Sequence, residues 1–174
     1  MKYFWKNIVV AGILNIAATV ALAQSPAENN ANISEINYQD WTVRCGQVEG
    51  TGRSCVMAQL VQLEESGEWL MQVNIAYIPE REEPVMSIVL PLGVGLQGGI
   101  KFQLGEADEN TNVMGYSHCI QDGCYVNQLL SDEAIQRITD VESGSVTFVT
   151  LLGEAIDVPF SPQGFVEALA ALRE

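Results

Sequence analysis

From Tyr38 onward the chain is written in short stretches where apolar and polar residues alternate, and turn-forming residues separate each stretch from the next. Such a pattern restricts the fold to antiparallel sheets, because strands with one buried face repeat every two residues and close through tight turns. Trp69, Met71, Val73, Ile75 and Tyr77 fall at period two and predict a strand over Trp69–Tyr77 with one apolar face. Trp41–Cys45 and Cys55–Leu63 precede it, and the polar run Glu64–Glu68 supplies a hairpin turn. Val85–Leu90 is a short apolar run suited to a buried strand, and Ile100, Phe102 and Leu104 alternate with Lys101 and Gln103. Val113–Cys119 and Cys124–Gln128 predict a hairpin around Asp122-Gly123. Val146–Leu152 and Ile156–Pro159 predict another around Gly153-Glu154.

Two short helices join this pattern. Ser131 is a candidate N-cap, followed by Asp132 and Glu133, whose charges suit the positive end of a helix dipole, with Ile135 and Ile138 on one face. Near the C-terminus Ser161 is a candidate cap and Pro162 a first helical residue, with Phe165, Leu169 and Leu172 as the apolar stripe. The expected fold is mainly β, an antiparallel β-sandwich with two short helices covering its edges, the second at the C-terminus.

The beginning of the chain reads as an address. Lys2 and Lys6 precede a mostly apolar stretch, Ile8–Ala18, and Ala21-Leu22-Ala23 is a small-x-small cleavage signal before Gln24. Residues 1–23 are therefore expected to be a signal peptide, 24–37 a flexible leader rich in Asn, Ala, Ser and Glu, and 38–174 the folded β domain. The apolar stretch is short for the ~30 Å hydrocarbon core of a bilayer, so the mature chain is expected to hold no transmembrane segment. Its length of about 150 residues fits one domain.

Export gives the cysteines a meaning. Cys45, Cys55, Cys119 and Cys124 are even in number and would meet an oxidising compartment, so two disulfides are expected. Three pairings are open. The local one, Cys45–Cys55 with Cys119–Cys124, is favoured because each pair brackets turn residues: Gly46, Gly50 and Gly52 in the first, Asp122-Gly123 in the second.

Charge narrows the partners. The chain has 22 acidic and 8 basic residues, a net charge of −14. Lys2 and Lys6 are two of those eight, so loss of residues 1–23 takes −14 to −16. A nucleic-acid partner is excluded, since affinity for phosphates comes largely from Lys and Arg. Docking by charge onto an anionic membrane is excluded on the same ground.

Several motifs suggest chemistry and fall short of it. Gly93-x-Gly95-x-x-Gly98 matches the dinucleotide fingerprint, but the next residues, Ile100–Leu104, alternate as a strand where the fingerprint needs a helix. These glycines are expected to serve turns at positive φ. Asp108-x-Asn110-x-Asn112 begins like a calcium loop, yet Val113 stands where glycine is required and Cys119 where a bidentate Glu is required. His118, the sole histidine, lacks the reduced cysteines a zinc site would need, and Cys119-x4-Cys124 is too wide for a redox C-x-x-C. Carboxylate pairs such as Glu64-Glu65, Glu82-Glu83 and Asp108-Glu109 lie in polar loops, and no Gly-x-Ser-x-Gly nucleophile motif occurs. No catalytic, cofactor-binding or metal-ligating residue is assigned; the residues singled out are the four disulfide cysteines.

Taken in order, Trp41-x-Val43-x-Cys45, Cys55-x-Met57-x-Gln59, Leu90-Pro91-Leu92-Gly93-Val94-x-Leu96 with Gly99, Cys119-x4-Cys124 and Ser161-x-x-Gly164-Phe165-x-x-Ala168-Leu169 form a recognisable set. In these the chain resembles the invasion-associated locus B family of exported bacterial proteins, across most of the mature domain. The resemblance implies a β-rich exported domain of Gram-negative bacteria, some of whose relatives are linked to entry into host cells. It supplies no catalytic motif to carry over, and the matched residues read physically as scaffold. The expected function is thus a non-enzymatic envelope or surface-associated binding protein, periplasmic, outer-membrane associated or secreted, with its protein or envelope partner unnamed. The alternatives are a hydrolase of cell-envelope material, resting on the carboxylate pairs, and an envelope-stabilising structural protein.

Overall fold

Alternation becomes two facing sheets. A computed structural model describes residues 33–48, 50, 52–79, 81–106 and 111–173. The signal segment 1–23, most of the leader and residues 108–110 of the calcium-like motif lie outside the described residues.

The strands are β1 Ser34–Tyr38, β2 Trp41–Val48, β3 Gly52–Gln62, β4 Trp69–Ala76, β5 Val85–Leu90, β6 Ile100–Leu104, β7 Thr111–Met114, β8 His118–Ile120, β9 Gly123–Leu129, β10 Gly144–Val149 and β11 Ala155–Phe160. Helix α1 spans Asp132–Thr139 and α2 spans Phe165–Ala171. A seven-stranded antiparallel sheet has the order β1-β2-β3-β4-β5-β9-β8, and a four-stranded one the order β11-β10-β6-β7.

Each sheet turns one face inward. Val43, Met57, Ile75 and Met86 are cross-strand partners in one row of the large sheet and are all buried. Phe102, Val146 and Val158 form the matching row of the small sheet. Burying each such side chain contributes roughly 1.5–3 kcal/mol. Trp41 ties the layers together, with T-shaped contacts to Phe160 of β11 (5.9 Å) and Phe165 of α2 (5.5 Å). Phe160 in turn meets Phe102 edge-on at 5.0 Å.

Where structure and expectation differ, local hydrogen bonding gives the reason. Residues 34–37, read as the end of a flexible leader, are strand: Glu35, Ile36 and Asn37 pair with Arg44, Val43 and Thr42. Ile36 and Tyr38 do alternate with Glu35 and Asn37, but the run is short, follows directly on the polar leader and buries none of its residues fully, so it is easily read as part of that leader. The expected strand Val113–Cys119 is divided. Thr111–Met114 pairs with β6 in the small sheet, His118–Ile120 with β9 in the large one, and Gly115-Tyr116-Ser117 crosses between them. Strand β10 stops at Val149, before Leu152, because the Thr150 and Gly153 N–H groups bond the Glu154 and Thr150 carbonyls and close a turn. Leu151 and Leu152 sit in that turn, 75% and 88% exposed.

The helices follow the same test. Ser131 caps α1, its Oγ accepting the Ala134 N–H at 3.3 Å, and Ile138 enters the core. Ser161 does not cap α2, which begins after Gly164 at φ +82°. The Ser161 Oγ accepts the Gln163 N–H and donates to Asp40 Oδ2, so it fastens a turn instead. Phe165, Ala168 and Ala171 are the buried residues of α2, with Leu169 and Leu172 packed partly against the core. The helix lies against β1 and β2, the edge of the large sheet.

Candidate functional site

The cysteines are structural. Cys45 faces Cys55 across β2 and β3, Cys119 faces Cys124 across β8 and β9, and each pair is joined by a disulfide, with Cα–Cα distances of 4.1 and 4.0 Å. The local pairing places both staples in hairpins of the large sheet. No thiolate is left for redox or metal chemistry at these positions.

His118 stands exposed on β8, its ring stacked parallel on Tyr125 of β9 at 4.8 Å. Among the described residues no group of three His, Cys, Asp or Glu is gathered that could hold a metal ion. Glu64, Glu65, Glu82 and Glu83 are exposed. The last two rim an open depression of about 970 Å³ with Tyr77, Arg81, Asp132 and Arg173, where the Arg173 guanidinium lies over the Tyr77 ring at 4.3 Å. Its charges are mixed in sign and bathed in solvent, so they largely offset one another.

The glycine motif is a link between the sheets. Of its three glycines only Gly93 has positive φ (+97°), while Gly95 is extended at φ −79° and Gly98 ends a 3-10 turn over Leu96–Gly98. The expectation of positive φ at all three is thus corrected; the positive angle belongs to the next residue, Gly99 (φ +63°). Gly95 instead donates its N–H to Val149 O at 2.7 Å, and Gly93 O accepts from Leu151 N at 2.8 Å. These bonds fasten the loop to the β10–β11 turn, leaving no helix N-terminus to meet a pyrophosphate.

A different surface has the makings of a site. β3 and β4 pair as Val61 with Met71 and then Gln62 with Trp69, so Leu70 is an extra residue, a β-bulge. A bulge reverses the facing of everything beyond it. Trp69, expected on the apolar face with Met71, Val73 and Ile75, is carried to the outer face, while Leu70 packs partly against the core. Gly123 makes room for it: a Cβ there would come within 3.3 Å of the Trp69 ring and 2.5 Å of Leu90 O.

Trp69 borders a groove of about 750 Å³ on the outer face of the large sheet, open to solvent. Gln62, Gln72 and Asn74 line it, Tyr125 borders it, and Leu60, Val89, Pro91 and Leu92 add apolar surface. Asp122 is the one charged residue in the lining. Gln72 Nε2 donates to Asn74 Oδ1 at 2.7 Å, and Gln62 Nε2 donates to Gly67 O at 3.1 Å. The arrangement offers aromatic rings and neutral amides on a rigid floor, equipment for recognition. Sequence reasoning missed it, although Trp69-Leu70-Met71, three large apolar residues in succession, already breaks strict alternation.

The comparisons concern the whole fold. No curated protein matches the chain. Among solved structures, the crystal structure of invasion associated protein B from Bartonella henselae superposes with a TM-score of 0.68, covering 80% of this chain and 95% of that one at 16% identity, a likeness of fold. The profile of the family described as invasion associated locus B (IalB) protein matches residues 41–173, which hold strands β2 to β11 and both helices. The chain belongs to the invasion-associated locus B family.

Proposed function

We propose that this protein is an exported, non-enzymatic binding module working at the cell envelope or cell surface, and that the groove beside Trp69 is its binding face. The observation that carries the reading is the placement of Trp69. A tryptophan moved out of a core by a bulge and set beside Tyr125 over a bed of amides is costly to expose, and Trp and Tyr dominate the energetics of recognition surfaces. The signal-like residues 1–23 and the two disulfides support an extracytoplasmic, periplasmic setting, with outer-membrane association or release as its variants. Family membership supports a link to host-cell invasion.

Site-specific photo-crosslinking in the native bacterium tests this. A benzophenone side chain at Leu92, on the groove rim, is expected to trap a discrete envelope or host component, while one at Glu167, exposed on α2, traps none. The same preparation is expected to contain a protein processed before Gln24 with both disulfides formed. An unprocessed, reduced, cytoplasmic product, or equal trapping from both positions, overturns the reading.

A further inference from the structure

Resting on the groove being the binding face, we infer that its ligand class is a neutral oligosaccharide. Three observations converge. The floor strands β3, β4, β5 and β9 are all interior in the order β1-β2-β3-β4-β5-β9-β8. Their backbone groups are used in the ladders, so an extended peptide cannot add as a further strand there, and recognition falls to side chains. Those side chains carry little charge: Asp122 is the single ionised group in the lining, on a chain whose net charge is −14. No Lys or Arg in the lining meets a phosphate, sulfate or uronate, and a single carboxylate gives a cationic ligand little to pair with.

The remaining chemistry is aromatic rings and amides. A primary amide both donates and accepts, as a sugar hydroxyl does. The Gln72–Asn74 bond uses the Gln72 nitrogen and the Asn74 oxygen, so the Gln72 oxygen is left to accept and the Asn74 nitrogen to donate. A pyranose has an apolar C–H face and a hydroxyl-rich rim. The Trp69 ring suits the first and the Gln62, Gln72 and Asn74 amides the second. A volume of about 750 Å³ lies within the roughly 300–1,000 Å³ of small-ligand sites, which suits a short oligosaccharide.

Of the three tryptophans in the sequence Trp5 lies in the signal-like segment, so in protein beginning at Gln24 emission from Trp69 reports the groove against the buried Trp41 as internal reference. The purified protein is titrated with chitotetraose, cellotetraose, maltotetraose and, as the charged control, tetragalacturonate, by fluorescence and calorimetry. At least one neutral tetrasaccharide is expected to bind saturably and tetragalacturonate to bind far more weakly. Trp69→Ala is expected to weaken binding at least about tenfold, with Trp69→Phe restoring most of it and Asn74→Ala giving an intermediate loss. Both Trp69 and Asn74 lie on the outer face, so the variants keep the core, which circular dichroism checks. Absence of binding by all three neutral probes, binding indifferent to Trp69→Ala, or equal binding of tetragalacturonate overturns the inference. If the sugars fail while crosslinking from Leu92 still traps a partner, the glycan inference falls and the binding face stands; if both fail, both fall.

Discussion

The side-chain amide of Gln59 bonds both backbone groups of Ser161: Ser161 N–H donates to Gln59 Oε1 at 3.0 Å, and Gln59 Nε2 donates to Ser161 O at 2.9 Å. Ser161 O also accepts from Trp41 Nε1 at 3.0 Å. Gln59, only 4% exposed, stands in for a strand here and joins the end of β11 to the large sheet. Gln59→Leu leaves the Ser161 N–H without a partner, which is expected to destabilise the protein by about 2 kcal/mol. Gln59→Glu is expected to be worse at neutral pH, because a carboxylate oxygen then faces Ser161 O, and to improve as the solution is acidified and the carboxyl regains a proton to donate. Urea unfolding at neutral and acidic pH reads both; equal midpoints for wild type and Gln59→Leu would refute the role.

Gly164 lies where α2 meets the large sheet. Its φ is +82°, and a Cβ there would overlap the carbonyl oxygen and carbon of Tyr38. Left-handed backbone alone costs an L-residue roughly 1–2 kcal/mol, and the Tyr38 backbone has no side-chain freedom with which to yield. Gly164→Ala is therefore expected to lose more than that, measured as a lowered thermal midpoint. Gly153→Ala, in an exposed turn at φ +85° with no atom near its Cβ, isolates the conformational contribution and is expected to lose less.

Legibility from sequence divides along similar lines, between what one strand holds and what its partners decide. Met71, Val73 and Ile75 are buried as their period-two spacing requires, and Ser131 caps α1 because its short side chain and the following acids favour that end of a helix. Both disulfides follow the local pairing, since the turn residues between the cysteines bring each pair face to face. Trp69 escapes such a reading because the bulge at Leu70 is a matter of register between two strands, invisible to the spacing within one. The split at Gly115–Ser117 escapes it for a related reason. Met114 and Cys119 both look like strand residues, and only their partners, Ile100 and Cys124, reveal that they belong to different sheets. The groove depends on both sheet order and that bulge, and is for this reason the least legible feature.

The two disulfides are expected to contribute unequally. Cys45–Cys55 spans a sequence separation of 10 and Cys119–Cys124 one of 5. Loop-closure entropy grows with the logarithm of loop length, giving roughly 3 kcal/mol for the first and 2 for the second. Alanine at Cys45 and Cys55 together is expected to lower stability more than alanine at Cys119 and Cys124 together, and loop length alone sets this order, because each pair places one cysteine, Cys45 or Cys124, in the core. Guanidinium unfolding of the two double variants, with fully reduced wild type as the limit, orders them. The reverse order would show that the β8–β9 hairpin depends on its staple beyond loop closure.

Tyr116, on the crossing between β7 and β8, has a buried hydroxyl with no hydrogen-bond partner among the described residues. Burial pushes its pKa up to about 12 from an ordinary 10.0. The sign follows from which state holds the proton. Above pH 10 the unfolded chain ionises at this residue while the folded one resists, so the tyrosine's share of stability is intact below pH 10 and is lost between pH 10 and about 12. Tyr116→Phe removes both the unpartnered hydroxyl and this titration. It is expected to stabilise the protein by about 1 kcal/mol at neutral pH and to hold a larger advantage over wild type on the alkaline limb. Unfolding midpoints at pH 7 and above pH 10 decide it: a Phe variant weaker than wild type at neutral pH would mean that the hydroxyl has a partner after all.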